Sequence, residues 1–221
     1  MFNVAIDGPA GAGKSTIAKM VAKKMNLVYV DTGSMYRAMA LSCIRQGIKA
    51  EEHEKVAQAV KDLNISLEYE DGVQQVILNG ENVNAYIRTE EVGNMTSAIA
   101  AYGEVRERLV DMQQAIARQK DVIMDGRDIG TCVLKDAPVK IYLTAAPRTR
   151  AERRYLELKE KGQECDIDTI EKDIIDRDYR DMHREISPLK QAEDAILVDS
   201  SDMTIQQVVD AISDIIRERI S

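Results

Sequence analysis

The chain has 221 residues, which is long enough for one α/β domain with an insertion. Its composition, 44% hydrophobic and 31% charged, is ordinary for a globular protein. A formal net charge of −8 disfavours a nucleic-acid-binding surface, and no apolar run approaches the roughly 20 residues that cross a membrane. The three cysteines (Cys43, Cys132 and Cys165) form no C-x-x-C pair, so we expect free thiols in a reducing compartment and no zinc site. The N-terminal MFNV leads directly into an apolar run, which predicts a cytoplasmic protein without a signal peptide.

Residues 8–16 (GPAGAGKST) match the phosphate-binding pattern G-x-x-x-x-G-K-[ST]. An apolar run precedes the motif and a helical pattern follows it, so the element order agrees with the motif, and an ordinary tight turn is the weaker alternative. Glycines allow backbone N–H groups to converge on phosphates, while Lys14 would reach the β- and γ-phosphates and the Ser15 hydroxyl would hold Mg²⁺. The predicted nucleoside triphosphate site comprises Gly8, Pro9, Ala10, Gly11, Ala12, Gly13, Lys14, Ser15 and Thr16.

Short apolar runs and helical patterns alternate along most of the chain, as they do in a parallel sheet with helices on both faces. The predicted strands cover residues 3–6, 27–30, 121–124, 139–143 and 195–198. The predicted helices cover residues 14–25, 34–46, 51–62, 91–118, 148–161, 168–184 and 204–219.

Residues 65–88 interrupt this alternation. The dipeptides Asp71-Gly72 and Asn79-Gly80 are hairpin turn signals, and they separate three short runs that predict antiparallel strands. The pattern fits a small accessory lobe and a surface hairpin equally well. Because no Pro/Ser-rich linker occurs, we expect the insertion to be part of one domain that spans residues 1–221.

Two polar segments follow predicted strands. Residues 31–37 (DTGSMYR) come after the second strand, and residues 125–131 (DGRDIGT) come after the third. Ligands of open α/β sheets bind beyond the carboxyl ends of the strands, so both segments are expected near the phosphate-binding motif. Solvation alone could explain either segment, but the occurrence of two favours a functional interpretation.

The predicted helix 168–184 carries an apolar stripe that becomes charged. Isoleucines from Ile167 to Ile174 recur at helical spacing, and Arg177, Asp181 and Arg184 continue the same stripe. A solvated, salt-bridged face is the alternative, worth a few tenths of a kcal/mol per pair. Because these charges occupy the buried stripe, we favour a polar cleft.

An arginine cluster follows the fourth predicted strand, where Arg148, Arg150, Arg153 and Arg154 begin a helix after Pro147. Cations near a helix N-terminus oppose its dipole, so local stability does not explain them. A role in surrounding a transferring phosphoryl group with guanidinium groups would explain these arginines. The spacing does not determine which of the four point inward, and Arg153 is the first choice.

The remaining polar positions separate the classes of protein that use this motif. No Asn is followed by Lys, so the Asn-Lys-x-Asp guanine-binding motif of GTPases is absent, and the chain lacks the additional force-bearing element of a motor. Arginines and aspartates at strand ends favour a kinase.

Five motifs together resemble bacterial cytidylate kinases, which belong to the P-loop nucleoside monophosphate kinases. They are residues 8–16, 31–37, 87–90 (IRTE), 125–131 and 177–184 (RDYRDMHR), and the resemblance covers nearly the full chain. It implies an α/β P-loop kinase with a five-stranded parallel sheet flanked by helices. It also implies a nucleoside monophosphate-binding lobe at residues 63–95 and a helical lid at residues 147–165.

The resemblance further implies phosphoryl transfer from ATP, with Mg²⁺, to CMP or dCMP in a monomeric enzyme that binds neither nucleic acid nor membrane. The residues that it implies for the acceptor's phosphate are Arg37, Arg127 and Arg184, those for its sugar are Arg177 and Asp181, and those for its base are Ser97, Arg106 and Asp128. Thr32, where a serine is also common, joins the substrate-binding residues, and the predicted catalytic residues are Lys14, Arg127, Arg153 and Arg184.

Two alternatives stay open at this stage. The chain could phosphorylate another small acceptor, such as UMP or shikimate, or it could be a nucleotide-dependent switch that binds a protein. The sequence also leaves open whether Asp31 or Asp125 completes the Mg²⁺ shell, and whether CMP or dCMP is preferred.

Overall fold

The structure is a computed structural model that describes residues 1–220. The chain divides into two compact units. The first comprises Met1–Tyr29 together with the chain from Lys120 onward, and the second comprises Val30–Gln119. Among residues 1–220, every helix is too short or too polar to cross a membrane.

Helices and strands follow one another with short connections. In chain order the elements are β1 (Asn3–Asp7), α1 (Lys14–Met25), β2 (Val28–Asp31), α2 (Thr32–Arg45), α3 (His53–Lys61), β3 (Ile65–Glu70), β4 (Val73–Leu78), β5 (Glu81–Asn82), α4 (Glu90–Ile99), α5 (Gly103–Ala117), β6 (Val122–Gly126), a π-helical turn (Ile129–Val133), β7 (Val139–Thr144), α6 (Pro147–Glu160), α7 (Ile167–His183), β8 (Ile196–Asp199) and α8 (Ile205–Ile220).

A five-stranded parallel sheet of order β2-β6-β1-β7-β8 organises the first unit, and the chain passes into the second unit within β2. In the central strand β1, Ile6 lies opposite Asp125 of β6 and Ile141 of β7. Helix α1 packs against α8 and β6, and α8 also packs against β7. Since β1, β6 and β7 are parallel, their carboxyl ends share one sheet edge. The predicted fold class and the five predicted strands are confirmed.

The second unit contains the antiparallel sheet β3-β4-β5, as the two turn signals predicted. At the first turn, Asp71 has a φ of 50° and Gly72 a φ of 76°, the pair of positive values that a type I′ two-residue hairpin turn requires. Val76 and Leu78 of β4 are buried in the core formed with α2, α3, α4 and α5. The hairpins therefore belong to the core of this unit and are not surface decoration.

The predicted helix 91–118 is wrong, because two helices, α4 and α5, replace it. The break falls at Tyr102, whose backbone is extended, with a φ of −78° and a ψ of 131°. Its hydroxyl donates a hydrogen bond of 2.6 Å to the carbonyl oxygen of Ala50. This tertiary contact and the following Gly103 end one helix and start the next. The other predicted helices agree with the structure to within about two residues.

Candidate active site

The turn between β1 and α1 has the geometry of a phosphate-binding loop. Gly8 has a φ of 149°, and a Cβ at this position would lie 1.9 Å from the carbonyl oxygen of Leu143, so no side chain fits. Gly13, with a φ of 86°, is the N-cap of α1, which begins at Lys14. Within residues 1–220, no side chain caps this helix end and its first turn carries no acidic residue. Such a helix N-terminus is suited to bind an anion.

Lys14 is buried, and its Nζ donates a hydrogen bond of 2.7 Å to the carbonyl oxygen of Pro9 in the same loop. Burial lowers the pKa of Lys14, and the positive charge of Arg127 lowers it further, whereas Asp125 and Asp7 act in the opposite direction. A neutral carbonyl is a weak partner for an ammonium group. A phosphate oxygen would bind this group more strongly.

Ser15 and Asp125 form an oxygen-rich pair beside the loop. The Ser15 hydroxyl donates a hydrogen bond of 2.8 Å to Oδ2 of Asp125, and the Tyr29 hydroxyl donates one of 2.9 Å to Oδ1. Mg²⁺ takes hard oxygen ligands and is commonly held by one or two protein groups together with phosphates and water. The hydroxyl and carboxylate of this pair therefore fit the ion.

Asp7, at the carboxyl end of β1, accepts hydrogen bonds of 2.7 Å from the backbone N–H groups of both Ile129 and Gly130. Burial raises the pKa of Asp7 to about 6, while the two amides and Lys14 oppose the shift. Asp7 was not among the predicted site residues. Its position after a buried strand and directly before the glycine motif is the same signal that identified Asp31 and Asp125.

The loop after β6 and the end of α7 bring together four of the predicted substrate-binding residues. Arg127 Nε donates a hydrogen bond of 2.8 Å to Oδ2 of Asp181. Arg184 Nη2 lies 3.7 Å from Oδ1 of Asp128 and forms an ion pair with it. The four side chains are 22% exposed or less. Two arginines, each next to a carboxylate, thus lie in the same unit as the phosphate-binding loop.

The other end of the charged stripe differs from the expectation. Arg177 is exposed on α7, whereas its neighbour Asp178, which was not assigned to the stripe, is buried. Arg184 lies beyond the last helical residue, His183, in an extended conformation. Helical spacing predicted the face correctly for Asp181, but it could not locate the helix end.

Among the four arginines of α6, Arg150 is the one that contacts the phosphate-binding loop. Its Nη1 donates a hydrogen bond of 2.8 Å to the carbonyl oxygen of Ala10, and its Nε donates one of 2.8 Å to that of Ala145. Its Nη2 forms an ion pair of 2.7 Å with Oδ2 of Asp178. The expectation that Arg153 is the inward-pointing residue of the cluster is corrected, because Arg150 is the buried one.

The remaining arginines of the cluster have partners of their own. Arg153 donates hydrogen bonds to the hydroxyl and the carbonyl oxygen of Ser200, at 3.2 and 2.6 Å. Arg148 pairs with Asp168 and Glu171 of α7. Arg154 forms an ion pair with Glu157 at the surface.

In the second unit, Asp31 holds two arginines. Its Oδ1 caps α2 by accepting a hydrogen bond of 3.0 Å from the N–H of Ser34. Its Oδ2 accepts hydrogen bonds from Arg37 at 3.1 Å and from Arg88 at 3.2 Å. Arg88 was within a recognised motif but was not singled out, because only the fold reveals its approach to Asp31.

Three further predicted substrate residues lie in this unit. Thr32 is the buried first residue of α2. Ser97 is exposed on α4, and its hydroxyl donates a hydrogen bond of 3.2 Å to the carbonyl oxygen of Gly93. Arg106 is buried, with its guanidinium 5.8 Å from the ring centre of Tyr36. The binding role of each of these residues stays a prediction.

The parallel sheet, the phosphate-binding loop after its central strand and the arginines at the strand ends define the chain as a P-loop kinase. A family model described as cytidylate kinase matches residues 4–218, and the chain belongs to this family. The resemblance drawn from the five motifs is therefore confirmed.

Close relatives support this assignment. Proteins named cytidylate kinase from Caldicellulosiruptor saccharolyticus and Leuconostoc mesenteroides subsp. mesenteroides are each 50% identical to the chain. The two alignments cover 94% and 100% of the chain, and 92% and 98% of the relatives. The solved structure of shikimate kinase from Bacteroides thetaiotaomicron has a TM-score of 0.50 at 13% identity, covering 99% of this chain and 98% of that one. The likeness to shikimate kinase concerns the fold alone.

Proposed function

We propose that the protein transfers the γ-phosphoryl group of ATP to CMP or dCMP, giving ADP and CDP or dCDP. Membership of the cytidylate kinase family supports this reaction. The observation that carries it is the arrangement at the carboxyl edge of the sheet, where Arg127 and Arg184 lie beside two carboxylates in the unit that contains Lys14. Such groups can bind an anionic acceptor near the donor phosphates.

On the donor side, the loop amides and the N-terminus of α1 would bind the phosphates of ATP. Lys14 would exchange its bond to the Pro9 carbonyl oxygen for one to the β- and γ-phosphates. Ser15 and Asp125 would hold Mg²⁺, which neutralises charge on the phosphates when it is bound. The loop itself would keep its shape through the bond from Arg150 to Ala10.

On the acceptor side, the oxygen that attacks already belongs to a phosphate, so no general base is needed. Positioning and charge stabilisation carry the step. Arg127 and Arg184 would bind the acceptor phosphate. Asp181 would orient Arg127 in the free protein, and a sugar hydroxyl group of the acceptor would then replace Arg127 as the partner of Asp181. Arg177 is proposed as a second sugar contact.

Asp128 would select the base. Cytosine presents an N4 amine donor where uracil presents an O4 acceptor. An ionised carboxylate accepts a hydrogen bond from the amine and repels the uracil oxygen. Asp128 forms an ion pair with Arg184. Because Asp128 is buried, a mismatched partner would remain unpaired, which is costly.

The remaining residue assignments rest on the resemblance and are proposed with it. Thr32, Arg37, Ser97 and Arg106 are proposed as acceptor-binding residues. A monomeric, cytoplasmic enzyme that binds no nucleic acid is likewise proposed.

A coupled assay of ADP release across four acceptors tests the proposal. CMP and dCMP should accelerate ADP release strongly, while UMP and shikimate should do so weakly or not at all. Strong turnover with UMP and none with CMP would overturn the base assignment. Slow hydrolysis that no acceptor accelerates would favour a nucleotide-dependent switch instead.

A further inference from the structure

A single carboxylate, that of Asp7, connects the phosphate-binding loop to the loop after β6. Asp7 immediately precedes Gly8, the first residue of the phosphate-binding motif. Its two oxygens accept hydrogen bonds of 2.7 Å each from the N–H groups of Ile129 and Gly130. These are the first two residues of the π-helical turn that follows Arg127 and Asp128.

The π-helical turn depends on this distant cap. Asp128 is its N-cap, with a φ of −149° and a ψ of 28°, yet within the described chain the Asp128 side chain does not cap it. Asp7 therefore satisfies the two N–H groups that a local cap would otherwise satisfy. The Asp128 carboxylate faces Arg184 instead, at 3.7 Å.

The space between Asp7 and Gly130 is tight. A Cβ at Gly130 would lie 3.3 Å from Oδ2 of Asp7 and 3.2 Å from Cδ of Lys140, closer than most side-chain contacts. Asp7 is itself 4% exposed. A side chain at position 130 would therefore force the Asp7 or the Lys140 side chain to shift.

Burial of a carboxylate is costly, and here the cost raises the pKa of Asp7 to about 6. The titratable groups around it are Asp128 from the loop after β6, Lys14 from α1, and Tyr142 and Lys140 from β7. A neutral Asn has the same shape and would avoid this cost. However, Asn offers one acceptor oxygen and an NH₂ group, so it cannot satisfy both N–H groups at once.

We propose that Asp7 is a positioning residue, which holds Arg127 and Asp128 in register with the phosphate-binding loop by clamping the two amides that follow them. This inference rests on the proposed function, because that function assigns Arg127 and Asp128 to the acceptor nucleotide. Asp7 would act through these residues, because it accepts hydrogen bonds from the amides that follow them.

The first test is the variant Asp7→Asn, assayed for kcat and KM with each nucleotide in turn. One buried N–H group loses its acceptor, so the acceptor-binding loop shifts. We expect the KM for CMP to rise at least about tenfold and the preference for CMP over UMP to fall by a similar factor, while the KM for ATP changes less than about threefold. Equal changes in both KM values, or no change in either, would overturn the proposal.

Asp121→Asn is the matched control. Asp121 also accepts a backbone hydrogen bond, of 2.7 Å from the N–H of Phe2, but it does so at the amino end of the strands. The same chemical change there should leave both KM values unaltered. A matching rise in the KM for CMP in this control would contradict a specific role for Asp7.

Hydrogen exchange followed by NMR tests the clamp in the unmutated protein, without any nucleotide and without relying on a variant that folds. The amide protons of Ile129 and Gly130 should exchange at least about tenfold more slowly than exposed amides of the same loop, and their shifts should titrate together near pH 6. Fast exchange of these two amides, without a common titration, would contradict the proposal that Asp7 clamps them. Failure of the proposed function would appear differently, as the absence of CMP turnover by the unmutated protein.

Discussion

Arg150 and Asp178 form a buried ion pair, with Nη2 and Oδ2 2.7 Å apart and side chains that are 4% and 11% exposed. The same guanidinium donates to the carbonyl oxygens of Ala10 and Ala145, so it connects the phosphate-binding loop, the end of β7 and α7. Among residues 1–220, the buried Oδ1 of Asp178 has no hydrogen-bond partner. Among the described residues, the ion pair with Arg150 is therefore what compensates the burial of the Asp178 carboxylate.

Arg150→Ala should therefore destabilise the protein strongly. It leaves the Asp178 carboxylate buried without its partner, which costs about 3–5 kcal/mol. Urea denaturation measures this loss. Arg154→Ala is the control, because its pair with Glu157 has both side chains 48% exposed, and it should cost less than about 0.5 kcal/mol. Equal losses in the two variants would contradict the role of the buried pair.

Lys14→Ala should abolish phosphoryl transfer while the fold remains. The variant removes the loop ammonium that is proposed to bind the phosphates, and the loss of such a preorganised donor lowers kcat by about 100-fold or more. Stability should change little, since the lost hydrogen bond joins Lys14 to a single carbonyl oxygen. Lys24→Ala, at the far end of α1, serves as the control and should retain activity. Activity retained by Lys14→Ala would refute the phosphate-binding role.

Asp128→Ala should lose CMP turnover disproportionately. Without the carboxylate, the site no longer distinguishes an amine from a carbonyl oxygen, so the ratio of kcat/KM for CMP to that for UMP should fall at least about tenfold. Asp173→Ala, which changes an exposed carboxylate of α7, should leave this ratio unaltered. If Asp128→Ala reduces both rates equally, then Asp128 is structural.

The pH dependence of stability should report on Asp7. Its pKa is about 6 in the folded protein and close to the ordinary 3.8 after unfolding, so the folded state binds this proton more tightly. The contribution of Asp7 to the free energy of unfolding is therefore greatest below about pH 4 and is lost as the pH rises through 6. The difference in unfolding free energy between the unmutated protein and Asp7→Asn should change across this interval. A difference that is constant from pH 4 to 7 would contradict the shifted pKa.

Local sequence signals were sufficient where the chemistry is local. The phosphate-binding loop was predicted because its glycines, Lys14 and the flanking strand and helix are adjacent in the chain. The hairpin turns at Asp71 and Asn79 were predicted for the same reason. The break between α4 and α5 was missed because it depends partly on the hydrogen bond from Tyr102 to Ala50, which periodicity does not encode.

The site was harder to predict where partners are distant in sequence. Asp7 binds Ile129 and Gly130, which lie more than 120 positions further along the chain. Arg150 and Arg153 have equivalent local contexts, and only the positions of Ala10 and Asp178 make Arg150 the buried residue. Spacing can identify which side chains share a helix face, but it cannot identify what that face meets.

The most direct test of the proposed reaction is to follow the γ-phosphate itself. The protein is incubated with ATP labelled with ³²P at the γ-position, Mg²⁺ and CMP, and the labelled products are separated. We predict that the label appears in CDP, in amounts equal to the ADP formed, and that Lys14→Ala forms none. Label found only in inorganic phosphate would contradict the account, because it would show that water, and not the nucleotide, accepts the phosphoryl group.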